Sequence, residues 1–410
     1  MPTAPVSTWS LPLNILKIYD IFTQVKKMRE NIGIYIHIPF CKKKCFYCDF
    51  VSYENKENLI QEYIDAVCLE ILQNAEILSE YNISTIYFGG GTPSLIKVEY
   101  IEKILNTLKL FVTDEKEIKE ITIEINPNSA SLDKLGKYYN LGINRLSIGL
   151  QSTHDKILRN IGRLHTFNDF KEVLKNANAV GFKNISVDLI YPLPGLNLSG
   201  FKETLNSMIK LKDEFNIKHI SVYNLEVHEN TRLDFLLKEG FVSLCNEDEE
   251  YKMREELNKR LQDNGFVKYE ISNYAYPGFE SKHNLCYWNQ EKYIGFGVNA
   301  SSFFNLKRYR NTSNIDKYID GIKNNKNIVV ETEELDKLSL MKEYIILKLR
   351  LSKGVEISEF KQKFGTDIFD IFNTEFNSLK KDNLVNITSK NISLTNRGEE
   401  VANIVWEMFV

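Results

Sequence analysis

Six runs rich in β-branched residues mark the first half of this chain: Gly33 to Phe40, Thr85 to Gly91, Glu120 to Pro127, Arg145 to Ser152, Asn184 to Tyr191 and His219 to Val227. Between them lie Ile60 to Leu78, Ile101 to Phe111, Ser131 to Tyr139, Phe167 to Val180 and Gly200 to Glu214, each with apolar residues three or four apart, the period of a helix. A strand that returns through a helix lies parallel to the one before it, so the series predicts an α/β protein with a parallel sheet. Six units are fewer than the eight that close a barrel, which leaves an open, partial (β/α)6 barrel over residues 33–230. In such folds the loops after the strands converge on one face, and ligands bind there.

The first of those loops holds three cysteines, Cys41, Cys45 and Cys48, spaced Cys-x3-Cys-x2-Cys. A zinc site wants four closed ligands, usually as two separated pairs, and the nearest further donor is His37 on the preceding strand. A disulfide framework does not suit a long, cysteine-poor chain without a secretion signal. Three thiolates can instead hold three irons of a 4Fe-4S cluster and leave the fourth for a non-protein ligand. The spacing resembles the radical SAM signature, which implies S-adenosylmethionine as that ligand. Cys68 falls in a helical pattern and reads as a small core residue, while Cys245 and Cys286 are scattered.

S-adenosylmethionine presents an amine, a carboxylate, a sulfonium, a ribose diol and an adenine. Gly89-Gly-Gly-Thr-Pro93 follows the second strand, where residues without a Cβ admit close approach of a ligand to the backbone. Glu124, Gln151 and Asp188 stand near the ends of the next three strands, and Arg163 follows in Ile161-Gly-Arg-Leu-His-Thr166. A carboxylate among β-branched residues is costly unless it is paired, so Glu124 and Asp188 require a cation or hydroxyl partner.

In order, Tyr35-Ile-His-Ile-Pro-Phe-Cys41, Gly-Gly-Gly-Thr-Pro, Ile-Glu-Ile-Asn-Pro, Ser-Ile-Gly-Leu-Gln-Ser, Gly-Arg-Leu-His-Thr and Val-Asp-Leu-Ile-Tyr-Pro-Leu-Pro-Gly resemble the oxygen-independent coproporphyrinogen III oxidase family of radical SAM proteins. The likeness runs from about Gly33 to the C-terminus. It implies contacts to S-adenosylmethionine from Tyr35, Tyr47, Gly90, Gly91, Thr92, Glu124, Gln151, Arg163 and Asp188. The oxidases of the family read Cys-x3-Cys-x2-Cys-x-Cys, and Phe50 stands where the fourth cysteine would be. His283-Asn-Leu-Cys-Tyr-Trp288 is similar to the His-Asn-x-x-Tyr-Trp motif of the HemW branch, which are haem chaperones. The resemblance therefore implies a protein that binds haem beside the cluster and passes it to an apoprotein, a respiratory haem protein among the candidates. The alternative is an oxidase that decarboxylates propionate side chains.

His283 is the candidate haem ligand in this reading, since imidazole is a common axial ligand and Tyr287 and Trp288 could pack on a porphyrin. The same residues also suit a hydrogen-bonded loop anchor. Two departures stand out in Gly295-Phe-Gly-Val-Asn-Ala-Ser-Ser302, where Asn299 replaces a family glycine and Ser301 a family histidine. Phe46 replaces a frequent proline of the cluster loop, a change expected to alter stiffness rather than ligation.

The remaining segments divide into an N-terminal extension over 1–32, a charged and then aromatic-rich stretch over 231–330, and a C-terminal part over 331–410. That last part reads as three helices followed by a two-stranded wing at Val385 to Thr395, an α+β extension of winged-helix form. The net charge of -3 with no basic stripe argues for packing or partner docking there and against nucleic acid. No apolar run is long enough to cross a membrane. A cytoplasmic protein is expected, with homodimerisation or peripheral membrane contact compatible with the sequence. Leu11, Ile15, Ile18 and Ile21 give the extension a mildly amphipathic pattern.

Overall fold

The computed structural model describes residues 29–410, so the amphipathic pattern at Leu11 to Ile21 lies outside the described residues. The six predicted strands form as β1 (Asn31–Ile38), β2 (Asn82–Gly90), β3 (Glu120–Ile125), β4 (Arg145–Gln151), β5 (Ile185–Tyr191) and β6 (Ile217–Asn224). They pair in chain order and all in parallel. At the β6 edge an antiparallel pair, β7 (Val267–Glu270) and β8 (Asn273–Ala275), continues the sheet. At the other edge β9 (Tyr293–Phe296) lies parallel to β1. It adds a seventh parallel strand to the six expected. Beyond it β10 (Ser301–Phe304), β11 (Lys307–Asn311) and β12 (Val329–Glu334) run antiparallel, and the sheet ends on β12 and β7 without closing.

The helices outside the sheet follow from sequence. The helix Phe167–Val180 opens on Thr166 and Asp169, which cap each other's backbone N–H groups, and stops at Gly181 in left-handed conformation (φ 109°). It buries Phe170, Val173, Leu174 and Ala177, one stripe at helical spacing. The predicted segment Ile60 to Leu78 divides at Asn74 into Ile60–Gln73 and Ala75–Glu80.

Alternation along the strands separates two environments. Ile86, Phe88, Ile121, Ile123, Leu146, Ile148, Val187, Leu189, Ile220 and Val222 belong to the apolar core beneath the helices. The intervening residues, among them Thr85, Tyr87, Glu120, Thr122, Glu124, Arg145, Ser147, Ser186, Asp188, His219 and Ser221, point into the lumen and are polar. A closed eight-stranded barrel usually fills its interior with branched apolar side chains. Here the lumen is instead a hydrogen-bonded polar interior.

The C-terminal region has its own core, in which Tyr344, Phe360, Phe364, Phe372, Phe376 and Phe409 meet. Its helices span Lys337–Leu349, Ile357–Phe364 and Ile368–Lys381. The expected two-stranded wing, β14 (Val385–Ile387) and β15 (Asn391–Leu394), gains a third strand from the two residues of β13 (Val355–Glu356).

Candidate functional site

The cysteine loop leaves β1 and is tied back to the barrel at several points. Cys41 N–H donates to Tyr53 O (3.0 Å), and Tyr53 N–H donates to Pro39 O (2.7 Å), which closes the loop on itself. The His37 ring braces it from the lumen: Nε2–H donates to Val51 O (2.9 Å), and this tautomer leaves Nδ1 to accept from the Tyr35 hydroxyl (3.0 Å). Burial lowers His37 to a pKa of about 4, so the ring is neutral as that arrangement requires. Phe46 N–H donates to Ile161 O (3.0 Å), and Leu233 N–H donates to Phe46 O (2.7 Å). A Cβ on Gly162 would lie 2.7 Å from the Phe46 ring, so the phenylalanine seats directly on that glycine.

The three thiols of the loop are free. Cys41 is buried, with Sγ 3.5 Å from Thr92 Oγ1. Cys45 Sγ accepts from Arg163 Nη1 (3.5 Å), while Arg163 Nη2 donates to Gly149 O (2.6 Å). Burial pushes the thiols of Cys41 and Cys48 up, Cys48 to about 11, with the neighbouring Cys45 adding to the effect. Iron binds the thiolate, so ligation would have to release those protons, and the Arg163 guanidinium supplies fixed positive charge beside the sulfurs. Tyr47 sits in the same cluster of charges, its hydroxyl held well above the usual range by burial and then by Cys45. Among the described residues no three His, Cys, Asp or Glu side chains converge on a single ion-sized point. Three thiolates on a 4Fe-4S cluster bind three different irons, so such convergence is not what this donor set needs.

The glycine run after β2 faces this loop. A Cβ on Gly91 would lie 2.9 Å from the backbone carbon of Pro39, and Gly90 has φ 111° with His37 Cε1 only 2.5 Å from where its Cβ would be. Both positions require glycine because a Cβ would strike the end of β1 and the His37 ring, which lets this backbone pack directly against the start of the cysteine loop. Glu124 accepts from Tyr87 Oη (2.9 Å) and from Gly90 N–H (3.2 Å). Burial raises it to about 7, with Asp188 adding repulsion against the two hydrogen bonds. Asp188 is raised by burial too, and it accepts from Ser147 Oγ (3.1 Å to Oδ2) and from Ser221. Gln151 ends β4 at φ 70°, and its Oε1 is buried without a partner. Asn126 Oδ1 and Arg163 Nε are likewise buried and unpaired.

Those two residues line, with Cys45, Thr92, Ser129 and Gly162, a cavity of about 180 Å3 at the carboxyl ends of the strands. A larger depression of about 420 Å3 runs along the outer helix at Glu99, Lys103 and Leu110, away from these groups. Buried orphan donors and acceptors at one mouth, beside three free thiols and a glycine backbone, suit a polar cofactor.

The structure thus brings Tyr35, Cys41, Cys45, Tyr47, Cys48, Gly90, Gly91, Thr92, Glu124, Gln151, Arg163 and Asp188 to one end of the lumen. It does not bring His283 there. The helix Lys282–Trp288 sits at the opposite end, its first amides donating to Glu120 at the start of β3 (3.0 and 3.1 Å). His283 is 1% exposed, with Nδ1 2.8 Å from Thr85 Oγ1 and Nε2 2.7 Å from Tyr287 Oη. Its ring stacks on Tyr87 at 5.1 Å, and burial followed by the charge of Arg145 lowers it to about 3. Of the two departures near β9, Asn299 adopts φ 56°, a left-handed conformation that asparagine tolerates after glycine, and Ser301 is exposed.

Sequence reasoning passed over Tyr87, Glu120 and Arg145. Arg145 is fully buried between the charges of Glu120 and Asp188. The signal was present in the alternation itself, since a strand with Arg145, Ser147 and Gly149 on one face turns a polar face inward.

Residues 35–208 match the model of the radical SAM superfamily, and residues 335–399 match the HemN C-terminal domain. The chain is 33% identical over 376 residues to "Heme chaperone HemW" of Bacillus subtilis, covering 92% of this chain and 98% of that one. The protein of the same name from Lactococcus lactis is 33% identical over 383 residues, 93% and 98% of the two chains. The solved structure of coproporphyrinogen III oxidase (HemN) from Escherichia coli, a radical SAM enzyme, superposes with TM-score 0.80 at 22% identity over 93% of this chain and 90% of that one. That likeness establishes the shared fold. With thiol loop, glycine backbone and buried acids all at the expected mouth, and relatives matched nearly end to end, the chain belongs to the HemW family of radical SAM proteins.

Proposed function

We propose that this protein is a haem chaperone on a radical SAM scaffold, which takes up haem and delivers it to an apoprotein. The observation that carries the reading is the end-to-end match to two proteins named as haem chaperones, at 33% identity. A second feature supports it: Phe50, in the position of the oxidases' fourth motif cysteine, is 65% exposed, so the loop offers an apolar surface where the oxidase offers a thiol.

Cys41, Cys45 and Cys48 would hold the 4Fe-4S cluster, with Arg163 beside Cys45 fixing positive charge at the sulfurs. Gly90, Gly91 and Thr92 would present backbone and hydroxyl groups to S-adenosylmethionine. Glu124, Gln151 and Asp188 would meet its polar groups, and Tyr35 and Tyr47 would border them. When bound, the cluster and S-adenosylmethionine supply a one-electron centre and a cleavable sulfonium. The protein's part is to orient them and exclude water. The acceptor in this reading is a respiratory haem protein, the compartment the cytoplasm, and a homodimer is compatible with the role. No helix among the described residues is long and apolar enough to cross a membrane. His283, the haem ligand implied by resemblance, would have to exchange burial and two hydrogen bonds for iron.

The test is anaerobic reconstitution of the full chain, followed by haem titration, haem transfer to an apocytochrome and an assay for coproporphyrinogen decarboxylation. Binding and transfer without decarboxylation is the expected result. Multiple-turnover decarboxylation without haem transfer would replace the chaperone with the oxidase.

A further inference from the structure

The chain has six histidines, and five of their rings are engaged. His37, His219 and His283 use both ring nitrogens in hydrogen bonds and are buried. His165 is buried with Nε2 on Leu150 O (3.1 Å), and His154 bonds Gly200 O (2.9 Å) on the outer helix side. The exception is His228, in the loop between β6 and the helix Arg232–Lys238. Its side chain is 43% exposed, and no hydrogen bond among the described residues reaches its ring.

His228 stands at the cluster mouth. Its Nε2 lies 3.6 Å from Oδ2 of Asp49, the residue after Cys48, and 3.8 Å from Oε2 of Glu226. The helix that follows it is tied to the cluster loop through Leu233 N–H and Phe46 O, and the Arg232 guanidinium lies 4.7 Å from the centre of the Phe46 ring. The same loop and helix expose Phe50 and Phe235, and Phe241 just beyond is 70% exposed, its ring 6.4 Å from that of Phe235. Single exposed apolar side chains are ordinary, but Phe50 next to Asp49 and the Phe235–Phe241 pair on the segment that follows His228 put three on the two segments that meet at this imidazole. Lys42 and Lys43 are exposed on the loop as well.

Haem asks for those three chemistries together: a nitrogen ligand for iron, apolar surface for the porphyrin face, and cations for two propionates. We infer that haem, the cargo in the chaperone reading on which this inference rests, is ligated by His228 at the rim of the cluster mouth. Asp49 and Glu226 flank Nε2 without a hydrogen bond to it, so the exposed ring is free to turn a nitrogen to the iron. Phe50, Phe235 and Phe241 cover the porphyrin, and Lys42, Lys43 and Arg232 face its propionates. His283 remains the hydrogen-bonded floor of the barrel. Cargo and cluster then share one opening.

The test uses the full chain titrated with ferric haem and followed by visible absorbance. Wild type should give the spectrum of imidazole-ligated haem. His228→Ala should lose it and weaken binding by about tenfold or more, and free imidazole should restore the spectrum. His283→Gln should keep the wild-type spectrum, and Phe50→Ser should weaken binding several-fold without changing the ligand signature. A His228→Ala protein indistinguishable from wild type, or loss of the spectrum in a folded His283→Gln variant alone, would overturn the assignment while leaving the chaperone reading in place. A wild-type protein that binds no haem would sink both.

Discussion

Glu124 gives the proposed cofactor site a pH signature. Its carboxyl is withdrawn from water in the lumen, and burial, to which the charge of Asp188 adds, raises the pKa from the ordinary 4.5 to about 7 despite hydrogen bonds from Tyr87 and Gly90. A carboxyl that pairs with the ammonium of S-adenosylmethionine does so at full strength only as the carboxylate. With a pKa near 7 about a tenth of the protein is ionised at pH 6 and about nine-tenths at pH 8, so affinity should rise about tenfold between them, or about 1.4 kcal/mol. Glu124→Gln should remove that slope and weaken binding at pH 8 by about 1.5 to 3 kcal/mol, the usual value of a hydrogen bond to a charged group. The ligand's own amine titrates in both proteins and cancels in the comparison. Calorimetric titration of the cluster-loaded proteins at pH 6, 7 and 8 measures it. Parallel pH dependence in wild type and variant, both folded by circular dichroism, would refute the placement of Glu124 against the ligand.

Glu70 tests the same physics away from the mouth: it is buried, accepts from Gly297 N–H (2.8 Å) and Asn311 Nδ2 (2.7 Å), and is raised to about 7 by burial. Because the folded value lies above the unfolded one, its contribution is full below pH 4.5 and is lost as pH rises through 7, about 3 kcal/mol in all at 1.36 kcal/mol per pH unit. Urea midpoints at pH 5 and 8 should diverge less in Glu70→Gln than in wild type; equal divergence would contradict it. Single Cys41→Ala, Cys45→Ala or Cys48→Ala changes should abolish the anaerobically assembled cluster, and Cys68→Ala should not, as iron and sulfide content will report. Gly90→Ala forces a Cβ into the His37 ring at φ 111°, so it should cost about 1 to 3 kcal/mol and lower cluster occupancy. Gly136→Ala, inside the helix Leu132–Asn140 with nothing within 4 Å of the added atom, should leave the cluster unchanged and raise the melting temperature slightly, since alanine favours a helix interior over glycine by about 1 kcal/mol; a lowered melting temperature would sink the steric argument.

Local signals were legible where they were long and repeated. The helix Phe167–Val180 is bounded as its cap residues and apolar stripe foretell, and the six strands fall within a few residues of the runs that predicted them. β9 escaped because Tyr293–Phe296 is four residues long and its partner β1 lies far away in the chain. β13 escaped because two residues carry no period. At the mouth, the thiols, Gly90, Gly91 and Glu124 were readable because each sits at or just beyond the end of a strand, and Asp188 because it is an acid within a β-branched run. The lumen layer beneath them, Tyr87, Glu120 and Arg145, was not, since Tyr87 lies within β2, Glu120 and Arg145 open β3 and β4 at the end away from the mouth, and only the fold makes them neighbours. His283 shows the limit most clearly. A metal ligand and a hydrogen-bonded anchor use the same residue types, and the partner that distinguishes them, Thr85, is 198 residues away.

Haem transfer by the purified, anaerobically reconstituted full chain tests the central claim most directly. Haem loaded on the protein and mixed with an apocytochrome should pass to the acceptor, as its absorbance will show, while coproporphyrinogen supplied with reductant and S-adenosylmethionine remains unchanged. Conversion of coproporphyrinogen over many turnovers, with no haem delivered to the acceptor, would contradict the account.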